Sequence, residues 1–398
     1  MESADLPLAG IRVVEFVHMI MGPSAGLILG DLGAEVIKVE PLPRGDNTRR
    51  LVGSGIGFFL SYNRNKKSLG VDLKSAGGRE IVLRLIKSAD ILTENFRPGA
   101  MDKLGFGYAA LKAINPELIY CSHKGFLAGP YEHRPALDEV VQMMGGLAYM
   151  TGPPGRPLRA GASVNDVMGG MFAVIGALAA LLQRQKTKRG QEIKSALFEN
   201  CAFLVGQHMA QYALSGVAAE PMPNRLSAWG IYDVFGTKDG QQMFVGVVTD
   251  TQWELFCKAF DVPDWLADPD LRTNNQRCES RARLLPMAQA LFARYTKAEL
   301  AEMCERTGLP YAPITKPEEL FDDPHLVASG ALLPVSSSDG VETVIPGLPL
   351  EMDGHRFGVR LDVPKFGEHT RSLLAELGYG TAEIERLVAD GVVADRER

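Results

Sequence analysis

Ile11-Arg12-Val13-Val14-Glu15-Phe16 and Val36-Ile37-Lys38-Val39-Glu40 are the two stretches that decide the fold. Each is short, β-branched and free of proline, which is how a strand reads. Between them Gly22-Pro23 breaks the chain, residues 24–32 suit a helix, and Gly33 can end it. A strand, a helix and a strand in this spacing make a βαβ unit, the building block of a doubly wound parallel sheet.

Working outward, the alternation continues. Residues 68–72 read as a strand and residues 77–87 as a helix. Residues 89–94 read as a strand, 101–114 as one helix, and 118–123 as a strand. This order argues for an α/β fold. A long apolar helix follows Asp166, then a strand at 192–196 and a helix at 197–214. The character changes at Glu220-Pro221-Met222-Pro223-Asn224, a plausible linker. Beyond it, residues 230–235 and 243–248 flank Lys238-Asp239-Gly240 and read as a hairpin with an Asp-Gly turn. Charged helical segments with proline breaks run over 253–307, and the tail after 331 returns to short strands and a final helix at 381–390. The expected organisation is a large unit over 1–215, a linker over 216–229, a small α+β unit over 230–325, and a return segment over 326–398 that completes the large unit.

Composition narrows the function. The chain has 398 residues, 48 Asp+Glu against 42 Lys+Arg, and a formal net charge of -6. A mildly acidic chain without a basic block is a poor nucleic-acid binder, so small-molecule substrates are expected. Cys121, Cys201, Cys257, Cys278 and Cys304 are dispersed and show no CxxC spacing, which argues against a disulfide framework or a zinc site. The N-terminal MESADLPLAG has no apolar core of a leader, so a cytoplasmic location is expected. Residues 167–183 form an uncharged run of roughly 17 residues, short for a membrane span and suited to a buried core helix.

The most informative stretch is Gly161-Ala162-Ser163-Val164-Asn165-Asp166-Val167-Met168-Gly169-Gly170. One carboxylate stands in a small, apolar segment just before the long helix. Asp166 can be an N-cap that accepts hydrogen bonds from first-turn amides. The same geometry can hold it ionised and oriented as a nucleophile toward an acyl group. The local sequence does not separate these readings. Gly22-Pro23-Ser24-Ala25-Gly26 stands where a phosphate loop would be but does not match GxGxxG, and Glu40 stands where a ribose-binding acid would. Arg64, Lys66, Lys67 and Lys74 cluster around one strand, and Arg97 and Lys103 flank Pro98-Gly99. Such cations either meet phosphates or form a solvated basic face. His18 and His123 end strands and read first as structural polar residues. No nucleophile-elbow, P-loop, HExxH or EF-hand pattern occurs, so no metal site is expected.

Taken in order, several blocks resemble the family III CoA-transferases, the group typified by formyl-CoA transferase and carnitine CoA-transferase. They are Leu8-Ala9-Gly10-Ile11-Arg12-Val13-Val14-Glu15-Phe16, Leu32-Gly33-Ala34-Glu35-Val36-Ile37-Lys38-Val39-Glu40, Asn63-Arg64-Asn65-Lys66-Lys67-Ser68, Glu94-Asn95-Phe96-Arg97-Pro98-Gly99, Lys188-Arg189-Gly190-Gln191, Gly308-Leu309-Pro310-Tyr311-Ala312-Pro313 and Gly367-Glu368-His369-Thr370. The resemblance implies a Rossmann-like large domain built from both chain ends, a smaller inserted domain, and a homodimer of interlinked rings. It places the nucleophile on Asp166 and implies an aspartyl anhydride followed by an aspartyl-CoA thioester. Carboxylate attack needs little proton transfer, and nearby backbone amides should steady the developing oxyanions. By matched position, His18, Met19, Val71, Asp72, Lys74, Asn95, Phe96, Arg97 and Lys103 should contact coenzyme A. CoA thioesters enter as substrates, with no tightly bound cofactor, no nucleic acid and no membrane.

Two departures bear on the substrate. Ile20 stands where formyl-CoA transferase has a glutamine, and no glycine run occurs between Arg225 and Asp250. The resemblance therefore points to a larger dicarboxylate acceptor and a succinyl-CoA-type donor. Trp229, Tyr232 and the Gly246 region are the candidate positions for the acceptor pocket. The related α-methylacyl-CoA racemase is the alternative. Its His-Asp pair matches Leu137-Asp138 here, which removes one of its two bases unless His133 substitutes.

Overall fold

The computed structural model describes residues 5–224 and 227–396. Residues 1–4 of the N-terminal segment, residues 225–226 of the expected linker and residues 397–398 of the return segment lie outside the described residues. The chain forms two compact units, one from the described residues up to 221 together with those from 324 onward, the other from residues 222–323.

The larger unit is built on a parallel sheet of β1 (Arg12–Phe16), β2 (Glu35–Glu40), β3 (Lys66–Val71), β4 (Ile91–Glu94), β5 (Ile119–Lys124) and β6 (Glu192–Ala196). Their order is β3-β2-β1-β4-β5-β6, and the strand Val393–Ala394 closes the β3 edge antiparallel, Val393 opposite Val71. The order reverses between β1 and β4. At such a switch point the loops leaving the two strands diverge and open a crevice at the strands' C-terminal ends.

Register and period 2 explain why the strands are apolar on both faces. Val13, Val36, Ile91 and Ile119 pack into one layer, and their successors Val14, Ile37, Leu92 and Tyr120 pack into the other. The helices of this unit, up to the linker, are α1 (Met21–Asp31), α2 (Phe58–Tyr62), α3 (Ala76–Lys87), α4 (Ala100–Leu104), α5 (Tyr108–Ile114), α6 (Asp138–Met144), α7 (Leu147–Thr151), α8 (Val164–Thr187) and α9 (Leu197–Ser215). Ile81, Val82, Leu85 and Ile86 of α3 cover one face, while α1 and α8 cover the other.

Several expectations need correction. Gly22-Pro23 does not break the chain: α1 starts at Met21, and Pro23 sits in the first turn, where its missing N–H removes no intrahelical bond. Residues 101–114 are two helices, because Gly105 takes φ +83 after α4 and the chain turns. The helix containing Asp166 is not a fully buried core helix. Its Gly169, Gly170, Ala173, Val174, Ala177 and Ala180 edge is buried, but Met171, Ile175 and Leu182 are exposed. By length and composition α8 would pass for a membrane span.

Charge is buried under the crevice. Arg64 and Lys66 are neither phosphate ligands nor a solvated face. Arg64 Nη2 meets Asp31 Oδ2 at 2.6 Å and Lys66 Nζ meets Glu15 Oε1 at 2.9 Å, with all four side chains sealed. Lys67 is paired to Glu35 at the surface, and Lys74 is exposed. Glu40 is not a free ribose acid: it accepts from Arg49 at 2.6 Å, from Ser68 Oγ at 2.7 Å and from the Asp46 amide at 2.8 Å.

The smaller unit pairs β7 (Ile231–Gly236), β8 (Gln242–Val247) and β9 (Tyr311–Pro313) antiparallel, with the turn before β8 passing through Gly240 at φ +72. Trp253, Phe256, Phe260 and Phe292 fill its core. Trp229, Tyr232 and Gly246 come together there. The Trp229 and Tyr232 rings are 4.6 Å apart, and a Cβ at Gly246 would stand 3.3 Å from Tyr232.

Candidate active site

The crevice at the switch point holds a cleft of about 340 Å³ within the larger unit, walled by His18, Met19, Asn95, His123, Arg159 and Asp166 among others. The loop after β1, the loop after β4, the end of β5, and the first turn of α8 with α6 beside it build most of it, and Ser54, Phe58 and Leu197 add to the lining.

The first loop is held from two sides. His18 N donates to Asn95 Oδ1 at 3.0 Å, and Asn95 Nδ2 donates back to His18 O at 2.7 Å. From below, buried Lys38 donates to Val17 O at 2.7 Å, and Lys66 donates to Pro23 O at 3.0 Å. Between these anchors Met19 takes φ +65, a left-handed conformation that costs a non-glycine residue free energy and persists where surroundings enforce it. The His18 and Phe96 rings are 5.8 Å apart, so the loops after β1 and β4 form one wall.

Close approach of two helices sets Asp166. A Cβ on Gly170 would stand 2.1 Å from Ser24 Oγ and 2.8 Å from Met21 O, so α8 crosses α1 only with a glycine here. Ser195 Oγ, at the end of β6, donates to Gly169 O at 2.8 Å. Asp166 is not the N-cap. It is the third residue of α8, and Ser163 at the N-cap makes no side-chain bond. The capping carboxylate is Asp138, at the start of α6: its Oδ1 accepts from Asn165 N at 2.8 Å and Asp166 N at 3.2 Å. Val164 N donates to Ala162 O at 2.9 Å, so the first three amides of α8 are already engaged. Oxyanion donors for chemistry at Asp166 must come from elsewhere than this helix terminus.

The environment also makes Asp166 far more basic than a helix N-terminus would. Burial and the neighbouring Asp138 push the Asp166 carboxyl up to about 7, against a partial offset from Arg159. Among the described residues no donor reaches its carboxylate. Tyr62 of α2 lies within reach of its field, since burial and Asp166 together raise the Tyr62 phenol. Arg159 pairs with Asp138 at 3.5 Å and Glu139 at 2.6 Å, and Lys124 pairs with Glu94 at 2.6 Å. His123 is buried with Nε2 2.6 Å from Thr93 Oγ1, and burial pushes it down to about 3, so it is neutral at physiological pH. Asp166 is thus a half-buried carboxylate in the cleft, without a donor among the described residues and near cations already held by their own partners.

The remaining candidate residues divide. Arg97 lines a neighbouring cleft of about 390 Å³ on the far side of Glu94 and Lys124, and exposed His133 lines that cleft rather than the one with Asp166. Lys103 is exposed on α4. Val71 has its side chain wholly in the core, and the Asp72 carboxylate accepts from Lys74 N at 3.0 Å, beyond the end of β3. Sequence reasoning did not single out Arg159, Tyr62 or Gln142, and weighed Asp138 only as half of a racemase pair. The signal was weak, because Arg159 and Tyr62 act on Asp166 through charge and Gln142 acts through Asp138, relationships that folding creates and spacing does not show. Among the described residues no group of three or more His, Cys, Asp or Glu is gathered to hold a metal.

An open α/β sheet with a carboxylate in the cleft at its switch point is the arrangement in which such folds bind small-molecule ligands. The chain belongs to CoA-transferase family III, whose model matches residues 8–370. It is a CoA-transferase, with CoA thioesters as substrates. It is 33% identical to succinyl-CoA:glutarate CoA-transferase of Mus musculus, over 98% of this chain and 91% of that one. It is 35% identical to succinate–glutarate CoA-transferase of Agrobacterium fabrum, over 95% and 97%. A crystal structure of a CaiB/BaiF family protein from Brucella suis matches with a TM-score of 0.82 at 33% identity, covering 94% of this chain and 99% of that one.

Proposed function

We propose that the protein moves CoA from an acyl-CoA of succinyl-CoA type to a carboxylic acid acceptor, a dicarboxylate, through covalent intermediates on Asp166. The ionised carboxylate attacks the thioester carbonyl, the C–S bond breaks, and CoA thiolate leaves a mixed anhydride. The thiolate then attacks the aspartyl carbonyl and frees the donor acid, leaving an aspartyl-CoA thioester. The acceptor carboxylate attacks that thioester, thiolate leaves again, and its attack on the acceptor acyl carbon releases the new thioester and restores Asp166. No net proton is consumed, so no dedicated general base is needed.

The observation that carries this reading is the Asp166 carboxylate itself: in a cleft, without a donor among the described residues, and raised toward neutrality. CoA is read as lying from Asp166 past His18, Met19 and Asn95 to Phe96, with Arg97, Lys103 and Lys74 toward its phosphates and with main-chain contact at Val71 and Asp72. Because the α8 amides are engaged by Asp138, Lys124 and Arg159 are the cations in position to steady the oxyanions. The dicarboxylate acceptor draws on the names of the glutarate-using relatives. A homodimer is supported by exposed Met171, Ile175, Phe203, Met209 and Tyr212 on α8 and α9, apolar area beyond what a lone chain leaves open.

The racemase alternative loses support, since Leu137 is an exposed apolar residue and His133 lies on another cleft. His123 shares the cleft but is too weak a base to shuttle an α-proton.

Intact-protein mass spectrometry after mixing with succinyl-CoA tests the reading. A CoA or acyl adduct on the peptide containing Asp166, absent in Asp166→Ala, is expected. No adduct with a panel of acyl-CoAs, with α-deuterium uptake into a 2-methylacyl-CoA instead, would overturn it.

A further inference from the structure

The helix that carries Asp166 is closed by a residue that is not its own. Ser163 stands at the N-cap and contributes nothing from its side chain, while Asp138, 28 residues before Asp166, accepts from two first-turn amides. Asp138 is only 7% exposed and its second oxygen is also held. Gln142 Nε2 donates to Oδ2 at 2.5 Å, and Arg159 Nη2 stands 3.5 Å away. Gln142 Oε1 in turn accepts from Ala160 N at 2.8 Å. Thus α6 grips the chain from Arg159 to Asp166 at both ends.

We propose that Asp138 is the positioning residue of this site: its carboxylate fixes the first turn of α8, and with it the Asp166 side chain, while setting a second negative charge against the reacting carboxylate. The inference rests on Asp166 being the group that reacts. A serine or asparagine would satisfy the same two amides without charge. The charge has its own consequences. It cancels the positive end of the helix, which would otherwise hold Asp166 ionised and weakly basic. It also leaves those amides no capacity to bind an anion, so a substrate carboxylate is not drawn to the helix terminus.

The groups that face Asp166 come from every packed element. They are Asp138 and Glu139 of α6, Arg159 ahead of α8, Tyr62 of α2, His18 of the first loop, and His123 and Lys124 of β5. Glu139 is taken up by Arg159, Lys124 by Glu94, and His123 is neutral. Burial and Asp138 are what raise the Asp166 carboxyl, with Arg159 holding the rise in check. A more basic carboxylate is the better nucleophile toward a thioester, provided it is still ionised at working pH.

The test is a titration of the full chain labelled with ¹³C at aspartate carboxyl groups, with Asp166→Asn to assign the resonance. In the wild type the Asp166 signal should titrate near neutrality. Asp138→Asn keeps the acceptor oxygen and loses the charge, so the midpoint should fall by about one pH unit. A cap with a purely structural role would leave the midpoint where it was, and that result overturns the proposal. If Asp138→Asn does not fold, Asp138→Ser, which also keeps an acceptor oxygen and loses the charge, is titrated in its place, and a midpoint that stays where it was overturns the proposal equally. The adduct experiment is read separately. A wild type that titrates as expected but forms no adduct removes the nucleophile and leaves the electrostatic coupling standing.

Discussion

Lys66 Nζ lies 2.9 Å from Glu15 Oε1, and neither side chain is reached by solvent. The pair lies directly beneath α1. A Cβ on Gly26 would stand 1.9 Å from Glu15 Oε2, so the helix settles on the pair only where it lacks a side chain. Removing Lys66 leaves buried Glu15 with only Lys38, at 3.7 Å and already paired to Asp46 at 2.9 Å. Lys66→Met should cost about 3–5 kcal/mol in chemical denaturation. The double variant Glu15→Leu with Lys66→Met should recover most of that loss, because no uncompensated charge remains. A double variant as unstable as the single one would refute this account.

Gly170 sets how closely α8 approaches α1. Gly170→Ala would normally gain about 1 kcal/mol in a helix interior. Here the new Cβ meets Ser24 Oγ and the Met21 carbonyl, so α8 must shift. Transfer activity should fall at least tenfold while the fold survives, since a displacement of about 1 Å at a reacting group costs about a hundredfold. Circular dichroism and steady-state rates on the same sample check it.

The Asp166 carboxyl, raised to about 7, links rate and stability to pH with opposite signs. Only the ionised form attacks, so adduct formation should drop about tenfold for each pH unit below 7. For stability, the folded value lies above the unfolded one, and the folded chain binds the extra proton between them. Stability from this group is therefore full below the ordinary carboxylate value of 3.8, is lost progressively as pH rises from there to about 7, and is level above. Asp166→Asn should raise the melting temperature at pH 8, by about 2 °C or more. The gain should be smaller at pH 5, inside the window between the ordinary carboxylate value and about 7, and close to nothing near pH 3. An equal gain at every pH would mean the effect is not electrostatic.

Asn95 exchanges two hydrogen bonds with the main chain of His18. Asn95→Ala should free the loop, let Met19 leave its left-handed conformation, and raise KM for the CoA thioester roughly tenfold, each lost bond being worth about 1 kcal/mol. Because Asp166 sits on another element, the rate of adduct formation at saturating thioester should move much less. A loss confined to kcat would contradict this division.

The strands around Val13-Val14 and Val36-Ile37 were legible because they are buried on both faces, and burial on both faces leaves an unbroken β-branched run. Asp166 was legible because a lone carboxylate among small residues has few structural excuses. Its charge state was not. The first-turn amides that would have kept it ionised are claimed by Asp138, and nothing in the spacing from Leu137 to Asp166 announces that. Arg64 and Lys66 mislead for a related reason. A basic cluster in sequence looks solvated, yet Asp31 arrives from α1 and Glu15 from β1, two strands away from β3 in the sheet.

What the sequence determined by itself was local: which segments prefer strand or helix, where glycines permit turns or close approach, and which carboxylate stands apart. These depend on side-chain volume, branching and periodicity, which every residue carries with it. The tertiary structure decided which charges meet, which amides are already spoken for, and how basic Asp166 is. Electrostatic energy depends on distance and on exclusion of water, and both come into being only when α6, α8 and the ends of β1 and β4 are brought together.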